Sequence, residues 1–277
     1  MYFLIDAGGT ESKIVLSEDG LKFNGPKIIN TPKKFEEAMA VYKNIAQELS
    51  SGRALKSASM GVAGHFDKEK TKILNAPNLP DWNGKPLKEE MQKALNAPVY
   101  LENDTALVGL GEAVYGAGRG YKIVAYVTVS TGVNGVRIVN GAIDKSAYGF
   151  EIGHQFAGST EGRQPQNLED IISGSAVEKH FNRKPYEITD EKIWSKLAEA
   201  LAYGLNNTIL HWSPEVVVLG GSMMGEKGIS LEETEKYLRN ILKIFGALPD
   251  IKKASLDKTG GLYGGLEIIK QISGMII

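Results

Sequence analysis

The sequence predicts an α/β protein built from two related halves, and three observations lead there. Short, continuous apolar runs alternate with stretches of helical periodicity along the chain, the pattern of strands covered on both faces by helices. Two segments, Phe3–Gly20 (FLIDAGGTESKIVLSEDG) and Tyr126–Gly141 (YVTVSTGVNGVRIVNG), share one layout: an apolar strand, a small glycine turn, a second apolar strand and a closing glycine turn. Such an echo predicts two domains, each opening with a tight hairpin. The length of 277 residues, 42% hydrophobic and 23% charged, supplies ample core for both.

Taken in order, the runs Tyr2–Ile5, Ala58–Val62, Val99–Leu101, Ile123–Val129 and Val216–Leu219 predict buried strands. Helical periodicity predicts helices over Lys33–Leu49, Pro86–Leu95, Thr105–Tyr115, Leu168–Phe181, Glu191–Trp212 and Leu231–Phe245. In the third of these, Ala106, Leu110, Ala113 and Val114 recur on one face. Charge narrows the function. Lys plus Arg is 32 against 33 for Asp plus Glu, a net charge of −1, which offers no basic surface for nucleic acid and no charged tail. No apolar run approaches the roughly 20 residues of a membrane helix. The opening MYFLIDAGGT carries no charged n-region or cleavage signal. Cysteine is absent, which excludes disulfides and thiolate metal ligands and makes the cytoplasm the expected location.

Three turns suit phosphate or nucleotide chemistry. In Asp6–Ala7–Gly8–Gly9–Thr10, two glycines let backbone N–H groups come close to an anion, Thr10 adds a hydroxyl, and Asp6 is placed to hold Mg²⁺ through water. Ser130–Thr131–Gly132 is a second set of small donors. Gly220–Gly221–Ser222 follows the strand VVVLG and offers bare backbone to an adenosine. Each alone is more often a plain tight turn, and neither a P-loop nor a convincing dinucleotide fingerprint is present. Between Pro98–Leu101 and the helix from Thr105 stand Glu102, Asn103 and Asp104. Asn and Asp there serve as helix caps. An acceptor-only carboxylate beside a donor–acceptor amide also suits gripping and deprotonating an alcohol.

The order DAGGT, ENDT, TVSTGVNG, EIGH and VVVLGGS resembles the ROK family, sugar kinases and sugar-responsive repressors of the actin-like ATPase superfamily. The likeness covers nearly the whole chain, including Met60–Trp82 and the closing GGLYGGLEIIK. It implies a two-domain actin-like (ribonuclease H-like) α/β fold with a cleft between domains: residues 1–105 completed by a helix over 260–277, and a larger domain over 106–259. The repressor branch carries a helix-turn-helix before the first glycine turn; five residues stand there in this chain, so the kinase branch is expected.

The activity implied is transfer of the γ-phosphoryl of ATP, with Mg²⁺, to the C6 hydroxyl of a hexose, glucose first. Fructose, mannose, N-acetylmannosamine and N-acetylglucosamine stand as rival acceptors, polyphosphate as a rival donor, and a non-catalytic sugar sensor as a rival class. A homodimer and a monomer are both open. The resemblance makes Asp104 the catalytic base and assigns Gly64, His65, Asn78, Asn103, Glu151, His154 and Glu169 to the sugar. It assigns Gly8, Gly9, Thr10, Thr131 and Gly132 to the phosphates, Gly220 and Gly221 to adenosine, and Asp6 to the metal. Glu151 and His154, three apart, share a face if helical.

The chain departs from the family pattern in three places. The segment after EIGH, Gln155–Asn167, has no cysteine, so the family's zinc motif is missing. A site from His154 and Glu161 would be weak and open; no zinc is expected, and Phe156 becomes a candidate anchor for the loop. Glu11 replaces the usual lysine after GGT, an acidic group near the expected phosphates. His65 stands where glucose-type members usually have proline, and is either a specificity residue or a solvent-facing loop histidine.

Overall fold

The computed structural model describes residues 1–158 and 165–274. Strands β1 (Tyr2–Ala7), β2 (Glu11–Ser17) and β3 (Lys27–Asn30) lead into helix α1 (Phe35–Ser50). Then come β4 (Ser57–Val62), a short hairpin of β5 (His65–Phe66) and β6 (Ile73–Asn75), α2 (Leu87–Leu95), β7 (Val99–Asn103) and α3 (Asp104–Val114). The later part holds β8 (Ile123–Val129), β9 (Val133–Val139), β10 (Ala142–Ile143) and the small ladder of β11 (Phe156–Gly158) with β12 (Gln166–Asn167). It continues through α4 (Leu168–Ile172), α5 (Gly174–Phe181), α6 (Glu191–Trp212), β13 (Val216–Gly220), α7 (Leu231–Ile241), β14 (Asp250–Lys253) and α8 (Gly260–Ile272).

Two compact units result: Met1–Gly111 with Lys145–Gly149 and Leu256–Ile277, and Glu112–Asp144 with Phe150–Ser255. The first contains a five-stranded sheet in the order β3-β2-β1-β4-β7, the second one in the order β10-β9-β8-β13-β14. In each, the opening hairpin is antiparallel and the next two strands run parallel to its first strand. The echo between Phe3–Gly20 and Tyr126–Gly141 is therefore the visible part of one topology used twice.

In the first unit β1 is buried along its whole length. Phe3 and Ile5 face a core with Tyr42 of α1, Trp82 and Met91 of α2. Leu4 faces the other way, toward Leu262, Leu266 and Ile269 of α8. Each such side chain contributes roughly 1.5–3 kcal/mol by leaving water. The second unit repeats this with Val127 and Leu219 packed against Leu201 and Leu205 of α6.

Where the structure differs from the sequence reading, the physical reason is local. The helix expected over Leu168–Phe181 is two helices, because Ser173 is extended (φ −67°, ψ 154°) and its Oγ caps α5 by accepting Ala176 N–H. The helix expected over Leu231–Phe245 ends at Ile241, and the apolar residues Ile244 and Phe245 beyond it are exposed. Strands β3, β10 and β14 carry no continuous apolar run because they lie at sheet edges, half-exposed and, in β14, charged. Among the described residues no helix is long and apolar enough to cross a membrane.

Helices α3 and α8 approach backbone to backbone. A Cβ at Gly264 would collide with the carbonyl of Leu107, and one at Gly111 with that of Gly260. Gly264→Ala should therefore cost on the order of 3 kcal/mol, since neither helix can retreat without unpacking the sheet. Gly25→Ala, where an added Cβ meets nothing within 4 Å, should change stability by less than about 1 kcal/mol. Denaturant melts of the two variants check the contrast; equal midpoints would refute it.

Candidate active site

The first glycine turn is fixed from behind. Gly8 N–H donates to Glu11 O at 3.0 Å and Thr31 N–H to Thr10 O at 2.8 Å. Thr31 Oγ1 donates to Gly8 O at 2.8 Å and pairs with Ser12 Oγ at 2.9 Å, which in turn meets Tyr42 OH at 2.8 Å. This buried hydroxyl chain is fully partnered and so stiffens the turn rather than weakening the core. Burial pushes the Tyr42 phenol up to about 12, against the pull of its Ser12 bond. Gly8 N–H closes the turn itself.

Directly across the hairpin from Asp6 stands Lys13, and Lys13 Nζ meets Asp6 Oδ2 at 3.1 Å. Asp6 is buried, and α8 reaches it only because residue 261 is glycine; a Cβ there would lie 2.8 Å from the Asp6 carboxyl carbon. The Glu11 side chain is exposed. Two residues after Glu11 on the same strand, Lys13 is a cation that the sequence reading passed over. The signal was available: in a hairpin with this turn, counting register outward pairs residue 6 with residue 13.

At the end of β7, Asn103 Oδ1 accepts Ala106 N–H at 3.2 Å, and Asn103 Nδ2 donates to Gly64 O at 3.1 Å. Asn103 is therefore a helix cap and a tie to the Gly64–His65 segment at once. Asp104 Oδ1 accepts Thr105 N–H at 2.7 Å. Burial, and then the negative charge of Asp6, push the Asp104 carboxyl up to about 6, against the Thr105 N–H and the Lys13 ammonium. Asp6 is also pushed up by burial, with Lys13 opposing. Two carboxylates thus share one lysine, and the one at the helix head is tuned toward neutral pH, as proton-accepting groups in active sites are.

Asn78 packs on the first turn, where a Cβ on Gly9 would lie 2.5 Å from the Asn78 Cβ. Lys33 Nζ joins the two segments by donating to Gly9 O and, at 3.2 Å, to Asn78 O. His65 is half-buried in β5, opposite Asn75.

In the second unit the turn Ser130–Thr131–Gly132 is held by α4 and α5. Gly174 N–H donates to Ser130 O at 2.7 Å and Ser175 N–H to Thr131 O at 3.3 Å. Glu169 Oε2 accepts Val133 N–H at 2.6 Å and lies where a Cβ on Gly132 would be 2.7 Å away. The break at Ser173 is what frees those helix-start N–H groups for the turn. Gly221 has φ +96° and a Cβ there would strike Val129 O, so the third turn requires glycine. A Cβ on Gly220 would lie 2.5 Å from Tyr126 OH, and Ser222 Oγ lies 3.1 Å from Ser130 Oγ, joining the second and third turns. Glu151 precedes and His154 ends a single 3₁₀ turn (Ile152–His154), both with exposed side chains; Glu151 itself is not helical. Phe156 is 65% exposed and does not anchor its loop, and Glu161 lies outside the described residues.

The donor set suits Mg²⁺. Asp6 and Asp104 offer hard carboxylate oxygens near each other. Mg²⁺ takes one or two carboxylates and completes its shell with water and phosphate oxygens, so this pair would fit it.

A ROK family model matches residues 2–272, and the chain belongs to that family. It is 26% identical to a glucokinase of Thermotoga maritima, the alignment covering 98% of this chain and 97% of the relative. To an N-acetyl-D-glucosamine kinase of Yersinia pseudotuberculosis it is 25% identical, covering 95% and 97%. Its structure is similar to a ROK hexokinase from Thermus thermophilus, with TM-score 0.84 and 25% identity over 99% of both chains. A ROK glucokinase from Streptomyces griseus, solved with glucose and AMPPNP, shares the fold at TM-score 0.77 and 23% identity, covering 98% and 99%. The architecture is accordingly the two-domain actin-like α/β fold.

The Asp104 environment yields a test by melting. Its carboxyl holds the proton more tightly in the folded chain than in the unfolded one, so folded-state stability falls as pH rises from the ordinary aspartate value to about 6. Asp104→Asn escapes that loss. The variant should melt above the wild type at pH 7, and the gap should shrink below about pH 6 and close by about pH 3, under the ordinary aspartate value, where the wild-type carboxyl is protonated in both states. A gap independent of pH would show that Asp104 is not held in this environment.

Proposed function

We propose that this chain is an ATP-dependent sugar kinase that phosphorylates the C6 hydroxyl of a hexose, with glucose the preferred acceptor. The observation that carries the reading is the Asp104 carboxylate at the head of α3, pushed up to about 6 beside Asp6 and next to Asn103, which is tied to Gly64. Phosphoryl transfer needs little covalent help from protein; it needs an aimed alcohol, an acceptor for its proton and stabilised charge. Asp104 orients the attacking hydroxyl and accepts its proton. The second hydrogen of the Asn103 amide and the remaining lone pair of its oxygen serve the sugar. Gly64, His65, Asn78, Glu151, His154 and Glu169 complete the sugar contacts, with Glu169 offering the oxygen not used by Val133 N–H.

Gly9 and Thr10 present N–H groups and a hydroxyl to the phosphates, with Gly8 allowing close approach. Thr131 and Gly132 do the same from the second unit, and Gly220 and Gly221 give adenosine a surface free of side chains. Asp6 holds the metal through water, and Lys13 balances its charge. When bound, Mg²⁺ neutralises the phosphate oxygens on which negative charge builds. The family relatives named above as glucokinase and N-acetyl-D-glucosamine kinase support a sugar acceptor; glucose is our choice within that class.

A coupled ADP-release assay with Mg·ATP over glucose, mannose, fructose, N-acetylglucosamine and N-acetylmannosamine tests the reading, with glucose expected to show the highest kcat/KM. Asp104→Asn should still bind sugar while its turnover falls roughly 10²-fold or more, because an amide accepts no proton. ADP release that no sugar stimulates, or a variant with near-normal kcat, would overturn it.

A further inference from the structure

Glu102, the first residue of ENDT, has no part in the chemistry above, yet its side chain is only 12% exposed and both its oxygens are engaged. Glu102 Oε1 accepts the N–H of Asn103 at 3.0 Å. Glu102 Oε2 pairs with Lys70 Nζ from the turn between β5 and β6. That turn is built to present Lys70. Its backbone sits in the left-handed region (φ +49°), which a side chain like lysine adopts at a cost of order 1 kcal/mol. Asp67 offsets that cost, with Oδ1 accepting Thr71 N–H at 2.6 Å and Lys72 N–H at 3.0 Å, while Oδ2 accepts Thr71 Oγ1–H at 2.5 Å. Lys70 N–H closes the turn on Asp67 O at 3.0 Å.

The ion pair closes a ring of contacts. Glu102 lies opposite Gly61 in the β4–β7 ladder. From Gly61 the chain runs through Gly64, whose carbonyl accepts Asn103 Nδ2–H, into β5 and on to Lys70. The hairpin is therefore tied to the end of β7 twice, at its base through Asn103 and at its tip through Glu102. Loss of the tip leaves the bond from Asn103 Nδ2 to Gly64 O as the remaining side-chain tie described between the end of β7 and the hairpin.

We propose that Glu102 and Lys70 are a positioning pair that clamps the β5–β6 hairpin onto the end of β7 and thereby sets the sugar-binding geometry of Asn103 and Gly64. This rests on the sugar-kinase reading above. The pair bonds to each other and to the backbone N–H of Asn103, so its effect is expected on sugar affinity rather than on chemistry.

Lys70→Met and Glu102→Gln test it; the glutamine keeps an oxygen for Asn103 N–H and removes only the charge. Each should raise the KM for the best sugar, and its calorimetric Kd, by about three- to tenfold, with kcat and the KM for Mg·ATP within about twofold of wild type. The double variant should be no worse than either single one, as for two halves of one interaction. Lys70→Arg should restore sugar affinity. Unchanged sugar KM in both single variants, additive losses in the double variant, or failure of arginine to rescue would each overturn the pairing. A wild-type protein that binds sugar without sugar-dependent ADP release would instead overturn the kinase reading, while the calorimetric Kd values still judge the clamp.

Discussion

The pairing of Lys13 with Asp6 is the constraint on which the first half of the site depends. Asp6 is buried between the hairpin, the head of α3 and the start of α8. A carboxylate so placed needs a cation, and the hairpin register delivers one from directly across the ladder. The same lysine moderates Asp104, so a single ammonium keeps two neighbouring carboxylates from excluding each other's charge. The surrounding glycines follow from this. Residue 261 has no side chain because Asp6 occupies the space, and the turn at Gly8 is held from behind by the Thr31 hydroxyl.

The second unit reaches a comparable end by different means. Its opening turn is braced by helix starts and by a glutamate bonded to Val133 N–H, where the first unit uses a buried chain of hydroxyls. One topology, used twice, has acquired two kinds of support, and each has small donors at the turn between the two strands of its opening hairpin.

What the sequence made legible follows from how local each signal is. The central strands could be read because burial on both faces leaves continuous apolar runs, as at Val216–Leu219. The edge strands Lys27–Asn30 and Asp250–Lys253 could not, since one side faces solvent and their residues follow no single period. Helical periodicity runs straight through Ser173, so the break there leaves no mark in the pattern of apolar residues. Within the site, the glycine turns and ENDT were visible as motifs. The bond from Glu169 to Val133, the tie of Lys33 to Gly9 and Asn78, and the pairing of Lys70 with Glu102 join residues distant in sequence. No spacing rule reaches them.

Helix α8 is made long after the strand it covers. The first unit draws on Met1–Gly111 and on Leu256–Ile277, whereas nearly all of the second lies in the chain between them. A ribosome therefore emits β1, with Asp6 at its end, and must complete some 255 further residues before Gly261 can reach that carboxylate. Until then Leu4 and Tyr2 lack the apolar partners that α8 brings. The second unit can fold during this interval, and the first waits with one face of its sheet uncovered. Truncated nascent chains are thus the form in which this protein is most exposed to chaperones and proteases, and they pass through it before the Asp6 carboxylate has its final surroundings.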